Sequence, residues 1–518
     1  MVHGTRGMAA TSHPLATGAA IEMLRDGGNA VDAAVAACAV QGVVEPQSTG
    51  IGGDCFALYA PGGRVPPVAV NGSGRAPEAA SVDWFQERGI DAVGFESAHA
   101  VTVPGALGTW EWLLANHGTK GLDEVLQPAI RYADEGFVVH SRVAFDWAQN
   151  EEKLRACENA RAFYLPGNRA PQAGDLHRLP VLAETLRLIA KEGAQAFYRG
   201  PIADGIAAHL QAHGGLMTAD DLAGFQPQEV APISANYRGF DIYECPPNGQ
   251  GIIALLILNI LEGFDLAGLD PLGAERLHLE AEACRLGYRD RAALIADPDA
   301  VDVPVDALLS TQYADAMRRH IDPAQAMPPE LPPGYPAHGD TVYLTVVDGE
   351  GNAISFINSV FASFGSGLCT SSGVVLQNRG ASFVIDPDHP NRIAGGKRPM
   401  HTIIPGMVGQ GEHAVMPFGV MGGHFQACGH AHFLTNVIDY GMDPQAALDC
   451  PRAFHFGGVM ALETTISEET ARRLAALGHD VAWADVPHGG GQAIAIDRES
   501  GVLTGGSDPR KDGCALGI

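Results

Sequence analysis

The sequence predicts an α+β fold in which strands pack with helical layers around one shared core. Three observations predict it. From about residue 105 to 330 apolar residues recur at helical spacing, and after Thr341 the texture changes to short strands and glycine turns. No repeat or low-complexity tract divides the 518 residues. Length alone would allow roughly two to four domains. A content of 46% hydrophobic and 18% charged residues suits a chain that buries a large interior.

Taken in order, residues 14–25 show helical spacing that Gly27-Gly28-Asn29 ends. Residues 30–44 follow, rich in alanine and valine on every face, which predicts a fully buried helix stopping at Glu45-Pro46. The loop Ser48-Thr49-Gly50-Ile51-Gly52-Gly53-Asp54 is glycine-rich, but no strand precedes it and no Gly-Lys-Ser/Thr closes it, so tight packing explains it better than phosphate binding. Residues 55–59 and 68–70 read as buried strands. Helices are expected over 106–115, 122–135, 182–192, 202–213 and 251–261. A longer one is expected over 271–295, carrying a solvated or ion-paired face of His278, Glu280, Arg285 and Arg289.

Residues 341–347 and 353–359 are separated by Asp348-Gly349-Glu350-Gly351-Asn352, a hairpin signal. Strands over 374–377 and 382–385 and helices over 431–439, 444–448 and 468–477 complete the pattern.

Charge and targeting narrow the function. Sixty acidic against thirty-three basic residues give a formal charge of −27, which disfavours nucleic acid and anionic membranes as partners. No signal peptide is evident, and no run approaches the roughly 18 apolar residues of a membrane span. The nine cysteines are scattered, with no Cys-x-x-Cys spacing, so they read as buried free thiols in a cytoplasmic protein.

Asp340-Thr341 is the chemically suggestive pair. A proline-rich stretch, 328–336, precedes it, and a strand-like segment starts at the threonine. Cleavage there would expose a threonine whose hydroxyl is the nucleophile and whose own α-amine is the base. From this segment alone, an ordinary strand that begins with threonine is the favoured explanation.

Landmarks along the chain resemble the γ-glutamyltransferase family of N-terminal-nucleophile hydrolases. They are Gly27-Gly28-Asn29-Ala30-Val31-Asp32-Ala33-Ala34, Val43-Val44-Glu45-Pro46, Gly50-Ile51-Gly52-Gly53, Val103-Pro104-Gly105, Pro128-Ala129-Ile130, Asp221-Leu222-Ala223 and Pro246-Pro247-Asn248-Gly249-Gln250-Gly251. Beyond Thr341 come Lys397-Arg398-Pro399, Met421-Gly422-Gly423, Asp439-Tyr440-Gly441, Pro451-Arg452 and Ser507-Asp508-Pro509-Arg510.

The resemblance implies an αββα sandwich cut before Thr341 into a large subunit, 1–340, and a small subunit, 341–518. These would stay together as an αβ heterodimer, with pairing of two heterodimers as the alternative. It implies Thr341 as nucleophile, Ser359 as the hydroxyl that orients it, and Gly422 and Gly423 as oxyanion donors. Asp340 would serve processing only, and no cofactor or metal is implied.

The sequence departs from the family where γ-glutamyl donors are read. The donor-reading arginine position falls at Ser73, the ammonium-binding aspartate position at Ser382, and the acceptor three residues earlier at Arg379. The paired serines are replaced by His401 and Thr402, and the segment 383–397 is short for a lid. A cation at 379 repels an α-ammonium and attracts an anionic amide. Arg75 and Arg379 are therefore candidate carboxylate ligands, with His401, Thr402 and His424 lining the pocket.

The stretches Gly72-Ser73-Gly74-Arg75-Ala76-Pro77 and Met421-Gly422-Gly423-His424-Phe425-Gln426 look most like the oxamate amidohydrolase branch, which converts oxamate to oxalate and ammonia. A cephalosporin- or glutaryl-acylase-like hydrolase and a γ-glutamyl hydrolase or transferase are the alternatives, and a processed but inactive binding protein is another. A metal hydrolase built on His424, His430 and His432, with His401 and His455, is disfavoured because His-x5-His-x-His matches no established zinc spacing.

Overall fold

The computed structural model of the protein describes residues 1–328 and, from the backbone of Asp340 onward, 340–518. Among them two seven-stranded sheets face each other, each covered outside by helices. One sheet runs, in spatial order, Cys514–Gly517, Gly7–Thr11, Asp340–Asp348, Ala353–Phe361, Asp54–Ala60, Val68–Gly72 and Gln228–Val230. The other runs Val2–Gly4, Leu503–Ser507, Gly490–Ile496, His413–Met421, Gly406–Gln410, Phe240–Glu244 and Ile233–Tyr237. The architecture is the αββα sandwich of N-terminal-nucleophile hydrolases, and each sheet contains strands from both sides of Thr341.

The elements form where local chemistry favours them. Asn29 caps the helix Ala30–Val44 by accepting from the Val31 and Asp32 amides, while Asp32 accepts from the Asn29 amide in return. Every residue of that helix except Gly42 is buried, and it packs on the strands Asp340–Asp348 and Ala353–Phe361. A side chain at Gly42 would stand 3.2 Å from the Gly50 Cα, so the glycine loop and the small-residue helix cross at close range. On the other face the apolar helix Gly251–Leu261 packs against Ile233–Tyr237 and the helices Ala274–Leu294 and Gln426–Ile438.

Between the sheets lie Phe56, Leu58, Tyr343, Ile357, Met407 and Ile494. Tyr343 is fully buried with its hydroxyl 2.8 Å from Ser355 Oγ, and a Cβ at Gly419 would stand 2.3 Å from its ring. Burying such a ring contributes about 1.5–3 kcal/mol, and it fixes the strand Asp340–Asp348 against the opposite sheet.

Several expectations need correction. Residues 374–377 and 382–385 form single bridges, Cys369 with Val375 and Val384 with Arg392, where strands were expected. The helix expected over 122–135 divides at Leu126 into Leu122–Val125 and Gln127–Glu135, with Pro128 in the first turn of the second. The long helix is Ala274–Leu294, so Pro271 lies outside it. His278, Glu280 and Arg285 on it are buried and only Arg289 is exposed, because the helix is covered by neighbours on several sides. Of the proline-rich stretch before Thr341, the part after Pro328 lies outside the described residues. All nine cysteines are free thiols, and eight are buried. Among the described residues no helix is long and apolar enough to cross a membrane.

Candidate active site

Thr341 is the second residue of the strand Asp340–Asp348, held between Gly7–Thr11 and Ala353–Phe361. The pairing slips here. Asp340 faces Phe361 and Val342 faces Asn358, so Ser359 and Val360 together stand opposite Thr341. This bulge re-aims the serine. Its Oγ lies 3.2 Å from Thr341 Oγ1, and both residues are buried. Ser359 Oγ accepts from the Phe361 amide at 2.8 Å, which directs its hydroxyl hydrogen elsewhere, and Thr341 is within reach. Phe361 adopts φ +79, a left-handed backbone that is costly for an aromatic residue and turns the strand away just past the site.

On the opposite sheet the strand His413–Met421 ends in Gly422 (φ +128) and Gly423 (φ +57), which lead into the helix Gln426–Ile438. A side chain at Gly422 would meet Gly489 Cα at 2.8 Å, so the turn requires glycine for conformation and for space. Gln250 Nε2 donates to the carbonyls of Gly423 (3.0 Å) and Thr402 (2.8 Å), and Arg291 Nη1 donates to Gln250 Oε1 at 2.6 Å. Gln426 Oε1 accepts from the Ile404 amide at 3.0 Å, which turns Nε2 toward Thr341 Oγ1, 3.5 Å away.

A buried cation sits beside this centre. Arg379 is 0% exposed; its Nη1 donates to Thr402 Oγ1 at 2.8 Å, and its guanidinium lies 3.9 Å over the Phe361 ring. Among the described residues its Nε and Nη2 have no hydrogen-bond partner. Burial lowers its pKa to about 9, although the nearby Asp54 charge opposes that.

Asp54 is fully buried and accepts from the amides of Gly74 (3.2 Å) and Gly105 (3.0 Å), from Gln377 Nε2 (2.9 Å) and from His401 Nε2 (3.1 Å). Burial pushes its carboxyl up to about 7, against the pull of Arg379 and these donors. His401 Nδ1 accepts from the Ile403 amide at 3.3 Å, so its hydrogen is on Nε2, facing Asp54. Burial, reinforced by Arg379, holds His401 neutral.

The remaining candidates divide. His424 stacks on Phe456 with centroids 5.1 Å apart and meets Phe361 edge-on at 6.1 Å, and burial with Arg291 and Arg379 nearby keeps it neutral. Ser73 Oγ accepts from Asn248 Nδ2 at 3.0 Å; the same amide reaches the Pro399 carbonyl at 2.7 Å, tying Ser73 to the segment that carries His401 and Thr402. Ser382 shares a short turn with Arg379, and among the described residues its buried Oγ has no hydrogen-bond partner.

Arg75 is engaged by acidic neighbours. Its guanidinium is taken up by Asp299 (2.7 Å), Asp297 (3.5 Å) and the Gly396 carbonyl (2.8 Å), which makes it part of a structural ion cluster with Arg398. The Asp340 side chain lies outside the described residues. His430 and His432 pair separately with Glu244 and Glu280, at 2.6 and 3.0 Å, and do not converge with His424. Sequence reasoning missed Asp54, Phe361, Gln250 and Gln426. Asp54 closes the glycine loop that was read as packing, and Gln426 ends the quoted Met421–Gln426 stretch. A cavity of about 300 Å³ opens beside Gly422, lined among others by Ser363, Phe425 and His488.

A buried hydroxyl near the head of a central strand, set between two facing sheets and helical layers, is the arrangement of an N-terminal-nucleophile hydrolase fold. The chain belongs to the gamma-glutamyltranspeptidase family, whose sequence profile matches residues 16–518. It is 37% identical to the glutathione hydrolase-like YwrD proenzyme of Bacillus subtilis (100% of this chain, 99% of the relative). It is 35% identical to the oxamate amidohydrolase proenzyme of Klebsiella pneumoniae (99% of this chain, 98% of the relative). Among solved structures it superposes on the cephalosporin acylase of Bacillus halodurans with a TM-score of 0.94 and 40% identity, covering 100% and 96% of the two chains. The protein is thus an amidohydrolase of a family whose relatives are named as proenzymes.

Proposed function

We propose that the chain cuts itself between Asp340 and Thr341 and then hydrolyses a small carboxylate-bearing amide, oxamate being the best candidate. In maturation Thr341 Oγ1 attacks the Asp340 carbonyl carbon, the C–N bond breaks, and the acyl group passes to oxygen. Water then hydrolyses the ester, freeing the Asp340 carboxylate and the Thr341 α-amine. The products are the 1–340 and 341–518 subunits, held as a heterodimer. Both steps use the hydroxyl that Ser359 and Gln426 approach.

In turnover the α-amine takes the hydroxyl proton as Oγ1 attacks the substrate amide. The amide N–H groups of Gly422 and Gly423 stabilise the oxyanion. Ammonia leaves with the proton, and water releases the acid.

The observation that carries the substrate class is Arg379. Its buried Nε and Nη2, unpartnered among the described residues, suit a carboxylate, and an α-ammonium would meet the same cation unfavourably. Phe361, which carries the guanidinium on its ring, also donates to Ser359. The cation and the nucleophile are therefore bracketed by one residue, which favours a short substrate. Ser73, Ser382, His401, Thr402 and His424 shape the rest of the pocket. The free thiols favour a reducing, cytoplasmic setting.

An acylase that cuts longer amides is the second reading, favoured by the likeness to the cephalosporin acylase and by the cavity beside Gly422. Ammonia or amine release from oxamate, a glutaryl amide and a γ-glutamyl anilide separates these readings, together with a denaturing gel of wild type and Thr341→Ala. Two bands in wild type, one in the variant, and turnover of oxamate above the others are expected. Strong γ-glutamyl transfer without oxamate hydrolysis would overturn the substrate assignment, and a wild type that stays one band would overturn the nucleophile.

A further inference from the structure

Away from Thr341, His278, Glu282 and His479 bring three ligand atoms within 4.8 Å of one another. His278 and Glu282 stand one turn apart on the helix Ala274–Leu294, and His479 follows the helix Glu468–Ala476. All three are buried, at 0%, 0% and 5% exposure. We infer that they form a binding site for a zinc-like divalent transition-metal ion with a structural role.

The donor set suits such an ion, since two imidazole nitrogens and a carboxylate oxygen are ordinary ligands of zinc. One imidazole is already oriented: His278 Nε2 donates to the Asp322 carbonyl at 2.8 Å, which puts its hydrogen there and leaves Nδ1 facing inward. That Nδ1 lies 2.8 Å from His479 Nε2. Tetrahedral ligation at about 2.0–2.1 Å would widen the pair to roughly 3.3 Å, a side-chain adjustment. A hydrogen bond between the rings is the arrangement without metal.

Glu282 accepts from Arg285 Nη1 and from the Met327 amide, both at 2.7 Å, and a carboxylate has further lone pairs to offer. The Arg285 charge opposes a cation, so the site is weaker than one without it. His455, whose ring centroid is 5.9 Å from that of His479, or a water would complete the shell. The ligands come from both sides of Thr341, so the ion would pin the two segments together, next to the last described residues before position 329.

The full-length protein, stripped with chelator and desalted, would be titrated with Zn²⁺ against a chromophoric indicator, and with Co²⁺ by visible absorption. One zinc bound per chain is expected, with a tetrahedral cobalt spectrum lacking a thiolate band. His479→Ala and the shape-conserving Glu282→Gln should weaken binding at least tenfold, Arg285→Gln should tighten it, and Thr341→Ala should leave it unchanged. No stoichiometric zinc, equal binding by Glu282→Gln, or a thiolate band from cysteines elsewhere would each overturn the site. The readout does not depend on activity, so it stands apart from the proposed reaction.

Discussion

Arg379 and Asp54 set the electrostatics of the candidate site residue by residue. Replacing Arg379 with methionine keeps bulk on the Phe361 ring but removes the charged donors. Hydrogen bonds to charged groups contribute about 1.5–3 kcal/mol, so kcat/KM for an anionic amide should fall roughly 10- to 100-fold. A neutral amide should be unaffected, and parallel steady-state assays on the two substrates check it. Asp54 gives a pH signature. Its carboxyl is raised from the usual 3.8 to about 7 by burial, so the folded state holds a proton that the unfolded chain has released. Stability is therefore favoured below about pH 4 and lost as pH rises to about 7. Asp54→Asn stays neutral and should escape this loss, so its melting temperature relative to wild type should be higher at pH 8 than at pH 5. An offset independent of pH would contradict the protonated assignment. Arg75 shows the limit of residue-level reading. Its type and position suggested a carboxylate ligand, but Asp297 and Asp299, more than 220 residues away in sequence, claim it in the fold.

At the scale of elements, the turn after His413–Met421 is tightly constrained. Gly422→Ala adds a Cβ that would stand 2.8 Å from Gly489 Cα at φ +128. The expected outcome is an unprocessed precursor on a denaturing gel, with far-ultraviolet circular dichroism close to wild type. Normal cleavage would mean the turn has slack. Elements with strong local signals were legible. The alanine-rich helix, the hairpin around Asp348–Asn352 and the apolar helix Gly251–Leu261 need only periodicity and turn chemistry. The segments 374–377 and 382–385 were not legible as bridges, because their apolar runs are buried by long-range packing without a full ladder. The bulge at Ser359 left no sequence signal either, since pairing register depends on the partner strand.

For the whole molecule, the sharing of both sheets by strands from 1–340 and 341–518 predicts how a cleaved protein behaves. It should run as two bands on a denaturing gel but elute as one species in native gel filtration, at the size of the uncut chain or a multiple of it. Separate peaks in buffer would contradict the interleaving. The overall architecture was legible through the landmarks, whereas Asp54, Gln250 and Gln426 were not, because their roles arise where the two sheets and the glycine loop meet. The strand that carries Thr341 lies between Gly7–Thr11, from before the proposed cut, and Ala353–Phe361, from after it. No molecule can therefore trade a half with a neighbour without unfolding. A mixture of isotopically heavy and light mature protein should keep its parental masses indefinitely, and hybrid variants would have to be encoded in a single precursor.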